Sequence, residues 1–169
     1  MVTEIELLKT ITEKKKTSGK YKKWNNSLFE DIKIMPTSDK GDVCEEFMYE
    51  LCKKLIDENA IRNPNTRDEW DVMVLRNKIE VKMATEDTSG CFQFNGIRYH
   101  RKYDFLLVLG ISPNNLYFNI YTGADVKSQK IGNLVSMEKG AVGSQKLTRK
   151  KSQLHDISKF KEIVKEVLG

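Results

Sequence analysis

The segment 71–82 constrains this chain more than any other part of its sequence. It predicts a β-hairpin whose strands, 71–75 and 78–82, flank a two-residue loop at Arg76 and Asn77. Side chains alternate between the two faces of a strand, so one face of this hairpin would be apolar and pack against a core. The predicted core positions are Val72, Val74, Ile79 and Val81.

The opposite face of the predicted hairpin carries charged side chains. Pairing outward from the loop sets Met73 opposite Glu80 and Asp71 opposite Lys82. Asp71 and Glu80 then become diagonal neighbours, roughly 7–8 Å apart at the backbone. Because hard divalent cations prefer oxygen ligands, we expect this face to hold such a cation.

The bulk composition is that of an ordinary globular protein. The chain has 169 residues, of which 39% are hydrophobic and 31% charged, and this predicts a single domain, 1–169. The sequence has no apolar run of membrane-spanning length and no signal-peptide pattern, so we expect an intracellular, cytoplasmic protein without membrane contact. The odd number and wide spacing of the cysteines predict buried thiols, at Cys44, Cys52 and Cys91.

The net charge of +5 is distributed unevenly along the chain. One group of lysines lies within 14–23 and a second basic group within 139–151. Uneven basic patches favour a polyanionic partner, nucleic acid first, although a solubilising surface is the alternative. The second group comprises Lys139, Lys146, Arg149, Lys150 and Lys151.

Periodicity and turn residues predict the order of the secondary structure. An ambiguous segment, 91–102, favours a short helix, and 128–153 is predicted to be a long loop. A mixed sheet with helices packed against it, in an α+β fold, follows from this order. Helices are predicted at 3–16, 43–58 and 157–168, and further strands at 105–110 and 116–121.

With these elements, the chain resembles the PD-(D/E)xK nuclease superfamily, the fold of most type II restriction endonucleases. Asp71 matches the first acid of its motif, Glu80-Val81-Lys82 matches the Glu-x-Lys, and Glu45 matches a glutamate that many members carry on the first core helix. Trp70 stands where the motif has proline.

The resemblance implies a restriction-endonuclease-like αβββαβ core at 41–121. The N-terminal helix and basic segment, 1–40, would precede this core, and a basic loop and C-terminal helix, 122–169, would follow it. It also implies catalysis with Mg²⁺, for which Mn²⁺ can substitute.

The expected chemistry is phosphodiester hydrolysis. We expect Asp71, Glu80 and the adjacent backbone carbonyl of Val81 to bind the metal ion. Lys82 would orient the attacking water and offset developing negative charge, with Glu45 as a further catalytic residue.

Several of these residues have alternative interpretations. Glu-x-Lys on a strand is also typical of a solvated face. Glu45 follows Asp42 at capping-box spacing, so it can equally cap a helix. Asp68 and Glu69 are alternatives to Asp71 as the first acid.

Two segments are candidates for DNA recognition. The segment 92–102 carries side chains that read base edges, although its aromatic residues also suit a packed helix. The loop 140–153 would supply phosphate contacts. The predicted DNA-binding residues are Gln93, Asn95, Arg98, His100, Arg101, Lys146, Arg149 and Lys150.

Together these features predict a Mg²⁺-dependent type II restriction enzyme that cuts double-stranded DNA. A structure-specific nuclease, such as a Holliday-junction resolvase, and a non-catalytic DNA-binding module are the alternatives. Cutting both strands needs two sites, which predicts a homodimer. Ile5, Leu8 and Ile11 of the N-terminal helix are expected to form part of its interface.

Overall fold

A computed structural model describes residues 3–65, 67, 69–132, 134–137 and 143–169. The helices are α1 (Glu4–Lys16), α2 (Glu30–Ile34), α3 (Thr37–Leu55), α4 (Gly123–Lys127) and α5 (Phe160–Leu168). The strands are β1 (Ile61–Arg62), β2 (Val72–Val74), β3 (Asn77–Thr85), β4 (Cys91–Arg98), β5 (Phe105–Ile111), β6 (Leu116–Thr122), β7 (Leu134–Ser136), β8 (Ser144–Lys150) and β9 (His155–Asp156).

These strands form two sheets. The larger has six strands in the order β1-β2-β3-β5-β6-β9, with β3 and β5 parallel and the other pairs antiparallel. The smaller is an antiparallel sheet in the order β4-β8-β7. The mixed sheet flanked by helices confirms the predicted α+β fold class.

Two apolar cores hold the layers together. The first lies between the large sheet and helices α3 and α5, where Met48, Phe118 and Phe160 are buried. The second lies between the two sheets, where Phe92 and Leu106 are buried. The strand β5 is therefore covered on both faces, which is typical of a strand with a continuous apolar sequence.

The hairpin forms, but the predicted loop and register are wrong. Leu75 and Arg76 make the turn, with φ values of 48° and 66°, and Val72 pairs with Ile79. This register differs from the predicted one by two residues. Because the shift is even, each side chain keeps its predicted face. The four predicted core positions are all buried: Val72, Val74, Ile79 and Val81.

Tertiary contacts fix this register. The Leu75 N–H donates to the Asp57 carboxylate at 2.8 Å, and the Lys78 N–H donates to the Asp104 carboxylate at 2.7 Å. Both acceptors come from outside the hairpin, so its own sequence did not indicate them.

The helix predicted at 91–102 is wrong, since this segment is the strand β4. Buried Phe92 and Phe94 alternate with exposed Gln93 and Asn95, the two-residue period of a strand. The pairing shifts between Phe94 and Ile97, which interrupts this alternation. The predicted loop 128–153 is wrong as well, because it contains β7 and β8.

The helix boundaries also differ from those predicted. The helix α3 begins at Thr37, before the predicted Val43, so Asp42 and Glu45 lie inside it and Glu45 is not a capping residue. Asp42 instead forms an ion pair with Arg62 at 2.5 Å. The helix α1 begins with a capping box between Thr3 and Glu6. In the C-terminal helix α5, Phe160 and Val164 are buried and Val167 is exposed.

Cys44 and Cys52 are buried free thiols, as predicted, whereas Cys91 is only half-buried. No helix in the described part of the chain is both long enough and apolar enough to cross a membrane.

Candidate active site and nucleic-acid interface

The site forms where β3 extends beyond its short neighbour β2. Among the described residues, β2 pairs only with residues 77–79 of β3, so the next part of β3 has an open edge on that side. Asp71, just before β2, donates its N–H to the Ile79 carbonyl at 2.9 Å. Its carboxylate accepts the Val81 N–H at 2.7 Å. The first predicted acid is thereby held beside the Glu-x-Lys segment.

The regular strand pairing ends before Asp71. Val72 pairs with Ile79, but the Asp71 N–H also donates to the Ile79 carbonyl, so Asp71 does not take the next paired position opposite Glu80. The negative charge of Asp71 still acts on Glu80 and raises the pKa of that carboxyl. The two carboxylates therefore repel each other in the folded protein.

Glu80 is buried, with 1% of its surface exposed. One carboxylate oxygen, Oε1, is 2.5 Å from the Lys82 Nζ. The other, Oε2, is buried without a hydrogen-bond partner. Burial raises the pKa of Glu80, and the negative charge of Asp71 raises it further. The positive charge of Lys82 lowers this pKa but does not outweigh burial. An unpaired buried carboxylate oxygen beside a second acid suits a site that binds a cation.

Glu45 approaches the same site from α3. Burial raises the pKa of Glu45, and the negative charge of Asp71 raises it further. Arg62 acts in the opposite direction, with its Nη2 at 3.7 Å from the Glu45 carboxylate. Asp71 thus acts electrostatically on Glu45 and on Glu80, which places the three acids in one region.

A cleft of about 450 Å³ opens beside this region. Glu45 and Lys82 line it, together with Gln93 and Asn95 from β4. The structure therefore brings two predicted catalytic residues and two predicted DNA-binding residues to one cavity. The α3 residues that line it are Thr37, Lys40, Gly41, Cys44 and Glu45.

Sequence analysis missed Lys40 and Asp87 of this cleft. The α3 lining positions recur at the spacing of one helix face, i, i+3, i+4, i+7 and i+8. This signal was present in the sequence, but the predicted helix began too late to include Thr37 and Lys40. Asp87 lies in a loop after β3 and gave no periodic signal.

The residues at this site fit a magnesium ion, although they supply only part of its ligands. Within the described ranges, no three Asp, Glu, His or Cys side chains form a metal-binding group. Mg²⁺ is commonly bound by one or two carboxylates, with waters and substrate phosphate completing its octahedron. Asp71 and Glu80 supply the carboxylates. The Val81 carbonyl points to the same open edge as its N–H and offers a further oxygen.

One face of the small sheet forms the candidate nucleic-acid interface. Gln93 on β4 pairs with Thr148 on β8, and alternation places Asn95, Lys146 and Lys150 on the same side. We call these five residues the outer strand face. All of its side chains are exposed or half-buried, and two of them also line the cleft.

Arg149 lies on the opposite side of β8 and is 4% exposed. Its guanidinium donates to the Tyr121 hydroxyl at 3.1 Å and to the carbonyls of Ile131, Gly132 and Thr148. The structure does not support the predicted DNA contact for Arg149, because its donors are bound within the fold.

The remaining predicted DNA-binding residues lie at the end of β4 or just after it. Arg98 pairs with Ser144, and His100 is exposed with its ring edge-on to Tyr99. Arg101 is half-buried, and its positive charge acts to lower the pKa of Glu80. Arg101 thus acts electrostatically on the acidic site.

Of the two alternatives to Asp71, only Glu69 lies within the described residues. Glu69 accepts the Lys102 N–H at 3.2 Å, whereas Asp71 accepts the Val81 N–H beside Glu80. Asp68 lies outside the described residues, as does Lys139 of the basic group.

Two lysines of the basic groups are paired with an acid. Lys23 and Lys151 lie 2.9 and 3.1 Å from the carboxylate of buried Glu86. Burial alone would raise the pKa of Glu86, but the neighbouring Ser112 hydroxyl and the ammonium groups of Lys23 and Lys151 outweigh it and hold this pKa below its ordinary value. These two lysines therefore stabilise the fold at this point.

The lowered pKa of Glu86 predicts a pH-dependent effect of Glu86→Gln. The stability that the ionised Glu86 carboxylate contributes is fully present above its ordinary pKa of 4.5. This stability is lost as the pH falls through the lower pKa that Glu86 has in the folded protein. Glu86→Gln should lower Tm at pH 7, and this difference should shrink towards pH 3. Thermal unfolding of both proteins across this range tests the prediction. An equal difference at both pH values would contradict it.

The buried position of Arg149 predicts a structural role. Arg149→Ala should lower the stability of the fold by roughly 2–3 kcal/mol, because it leaves several buried acceptors without a donor. Lys150→Ala, on the exposed neighbour, is the matched control and should leave Tm unchanged. Urea unfolding of both variants measures the difference. Equal stability of the two variants would contradict the structural role and make Arg149 a candidate DNA contact again.

Comparisons with known proteins leave the family open. No protein-family model matches the chain, and none of the curated proteins matches it. Among solved structures, a bacterial homing endonuclease, I-Ssp6803I, is similar at a TM-score of 0.46 and 15% sequence identity. The match covers 79% of this chain and 97% of that one. This likeness is too slight to assign a fold family or an activity, so membership of the PD-(D/E)xK superfamily stays a prediction.

Proposed function

We propose that the chain is a Mg²⁺-dependent endonuclease that hydrolyses phosphodiester bonds of double-stranded DNA, with the sequence specificity of a type II restriction enzyme. The arrangement of Asp71, Glu80 and Lys82 supports this most directly. Asp71 is held at the open edge of β3 and acts electrostatically on Glu80. Glu80 is buried with an unpaired oxygen and is ion-paired to Lys82.

Each residue has a role that follows from its position. Asp71, Glu80 and the Val81 carbonyl would hold the metal ion. When bound, Mg²⁺ supplies Lewis acidity and lowers the pKa of bound water. Lys82 is half-buried at the cleft, where its ammonium group would orient the attacking water and offset negative charge on the phosphate oxygens. Glu45, where α3 lines the same cleft, would accept a hydrogen bond from that water.

The outer strand face supports DNA as the substrate. A two-stranded β-ribbon fits the major groove, where glutamine and asparagine can read adenine through paired hydrogen bonds. Gln93 and Asn95 also line the cleft, so a duplex bound there would extend from base contacts to the acids. Lys146 and Lys150 would contact phosphates and give affinity that is independent of sequence.

A homodimer is part of this proposal. One set of Asp71, Glu80 and Lys82 hydrolyses one strand, and double-strand cleavage at one locus needs a second set related by two-fold symmetry. A palindromic target would match that symmetry.

Digestion of a plasmid of known sequence tests the proposed function. Discrete fragments with Mg²⁺ or Mn²⁺, and none with EDTA, would support a site-specific endonuclease. Cleavage confined to an added four-way junction would favour a structure-specific nuclease. Metal-dependent binding without cleavage of either substrate would favour a DNA-binding module. Glu80→Gln protein from the same purification controls for contaminating nucleases.

A further inference from the structure

The helix α1 presents an apolar face that the fold does not cover. Ile5 is 70% exposed, Leu8 67% and Ile11 48%, and no residue of α1 is buried. The capping box at Thr3 and Glu6 satisfies backbone donors at the start of α1, but a helix of this length is marginally stable on its own and gains from a packing partner. An exposed apolar patch on such a helix is typical of an interaction surface.

The spacing along α1 is that of a two-stranded coiled coil. Glu4, Leu8, Ile11 and Lys15 follow one another at steps of four, three and four residues, the spacing of a heptad seam. The two central positions of this seam are apolar. Its ends carry opposite charges, and acids occupy the first turn while lysines occupy the last.

We infer that α1 pairs in antiparallel orientation with α1 of a second copy of this chain. In this orientation Leu8 of each copy packs against Ile11 of the other, and Glu4 of each copy faces Lys15 of the other. A parallel pair would set Glu4 against Glu4 and Lys15 against Lys15, which is unfavourable. The acidic start and basic end of α1 therefore favour a second copy of α1 as its partner, in antiparallel orientation.

The size of α1 sets the strength of this contact. The helix has 13 residues and is about 20 Å long. A pair of such helices buries less than the roughly 1,200 Å² of a standard stable interface, so the isolated dimer is weak. We expect a dissociation constant on the order of micromolar, and tighter assembly when both copies bind one DNA molecule. The inference concerns assembly and does not depend on nuclease activity.

Sedimentation equilibrium without DNA tests this surface directly. The double change Leu8→Ser and Ile11→Ser should weaken the dimer by roughly 100-fold or more, because it removes the apolar centre from both copies. Leu28→Ser is the control, since Leu28 is 77% exposed elsewhere on the surface and should leave the dimer intact. A wild-type protein that remains monomeric at high micromolar concentration would overturn the inference, as would a dimer unaffected by the double change.

Charge reversal tests the orientation. Glu4→Lys and Lys15→Glu should each weaken the dimer by roughly tenfold, because each sets like charges against each other at both ends. An equimolar mixture of the two variants should recover the wild-type affinity. The protein that carries both changes should recover it as well. Recovery excludes loss of the helix as the cause of weakening, and circular dichroism of each variant checks helicity independently.

The results of the charge reversals distinguish a parallel from an antiparallel pair of α1 helices. In a parallel pair, a single reversal would leave the dimer about as strong as the wild type. Recovery in the mixture without recovery in the doubly changed protein would also contradict the antiparallel orientation. Sedimentation reports assembly alone, so a failed dimer test leaves the plasmid digestion as a separate test of cleavage.

Discussion

Glu80→Gln should abolish metal-dependent cleavage and, at the same time, raise the Tm of the metal-free protein. The amide keeps the shape of the side chain but removes a carboxylate that would bind the metal. Losing several kcal/mol of transition-state stabilisation corresponds to a rate loss of roughly 10³-fold or more. Single-turnover cleavage measures the rate, and thermal unfolding in EDTA measures Tm.

The gain in stability follows from the raised pKa of Glu80, which burial causes first and Asp71 increases. The folded protein binds the Glu80 proton more tightly than the unfolded chain does. The stability that protonated Glu80 contributes is therefore fully present below its ordinary pKa of 4.5. This stability is lost as the pH rises through the higher pKa that Glu80 has in the folded protein. At pH 7 the ionised group is unfavourable, so the amide is expected to be more stable.

The size of this gain and its pH dependence can be measured together. A protein of this length gains about 2–4 °C in Tm for each kcal/mol of added stability. The difference between the two proteins should disappear, or reverse, below pH 4. Glu50→Gln, on the exposed side of α3, is the control and should change neither cleavage nor Tm. Cleavage retained by Glu80→Gln would remove Glu80 from the active site.

Lys82→Ala should slow cleavage by roughly 10²–10³-fold, because it removes a charge placed to stabilise the transition state. DNA affinity should remain close to that of the wild type. Single-turnover rates give the first quantity and fluorescence anisotropy with a short duplex gives the second. Lys78→Ala, an exposed position on the same strand, is the control and should affect neither.

Lys150→Ala should have the opposite pattern. Its side chain lies on the outer strand face, away from the acids, so its loss should weaken binding without changing the rate at saturating DNA. The slope of log affinity against log salt should fall by about 0.9 for one lost phosphate contact. Equal losses of affinity in Lys82→Ala and Lys150→Ala, with no separate rate effect, would make Lys82 a phosphate contact.

The faces of the hairpin were predictable although its register was not. The two-residue alternation of apolar and charged positions fixes which side chains share a face, and an even shift of register preserves that result. Asp71, Glu80 and Lys82 could therefore be grouped from sequence. Their spacing could not, because the Asp57 and Asp104 carboxylates that hold the turn come from other parts of the chain.

The strand β4 was missed because its sequence is compatible with two structures. Its bulge at Asn95 and Gly96 interrupts the alternation, and its aromatic residues also suit a helix. Pairing with β8 decided the outcome, since backbone hydrogen bonds to a distant segment are available only once both strands are in place.

By itself, the sequence determined the fold class, the apolar face of the hairpin and the grouping of the charged residues, because these depend on local periodicity. Only the tertiary structure decided which basic residues are exposed. Once β8 is a strand, alternation turns Lys150 outward and Arg149 inward, where nearby carbonyls and a tyrosine hydroxyl bind its guanidinium. Burial and hydrogen bonding depend on segments that meet only in the folded chain.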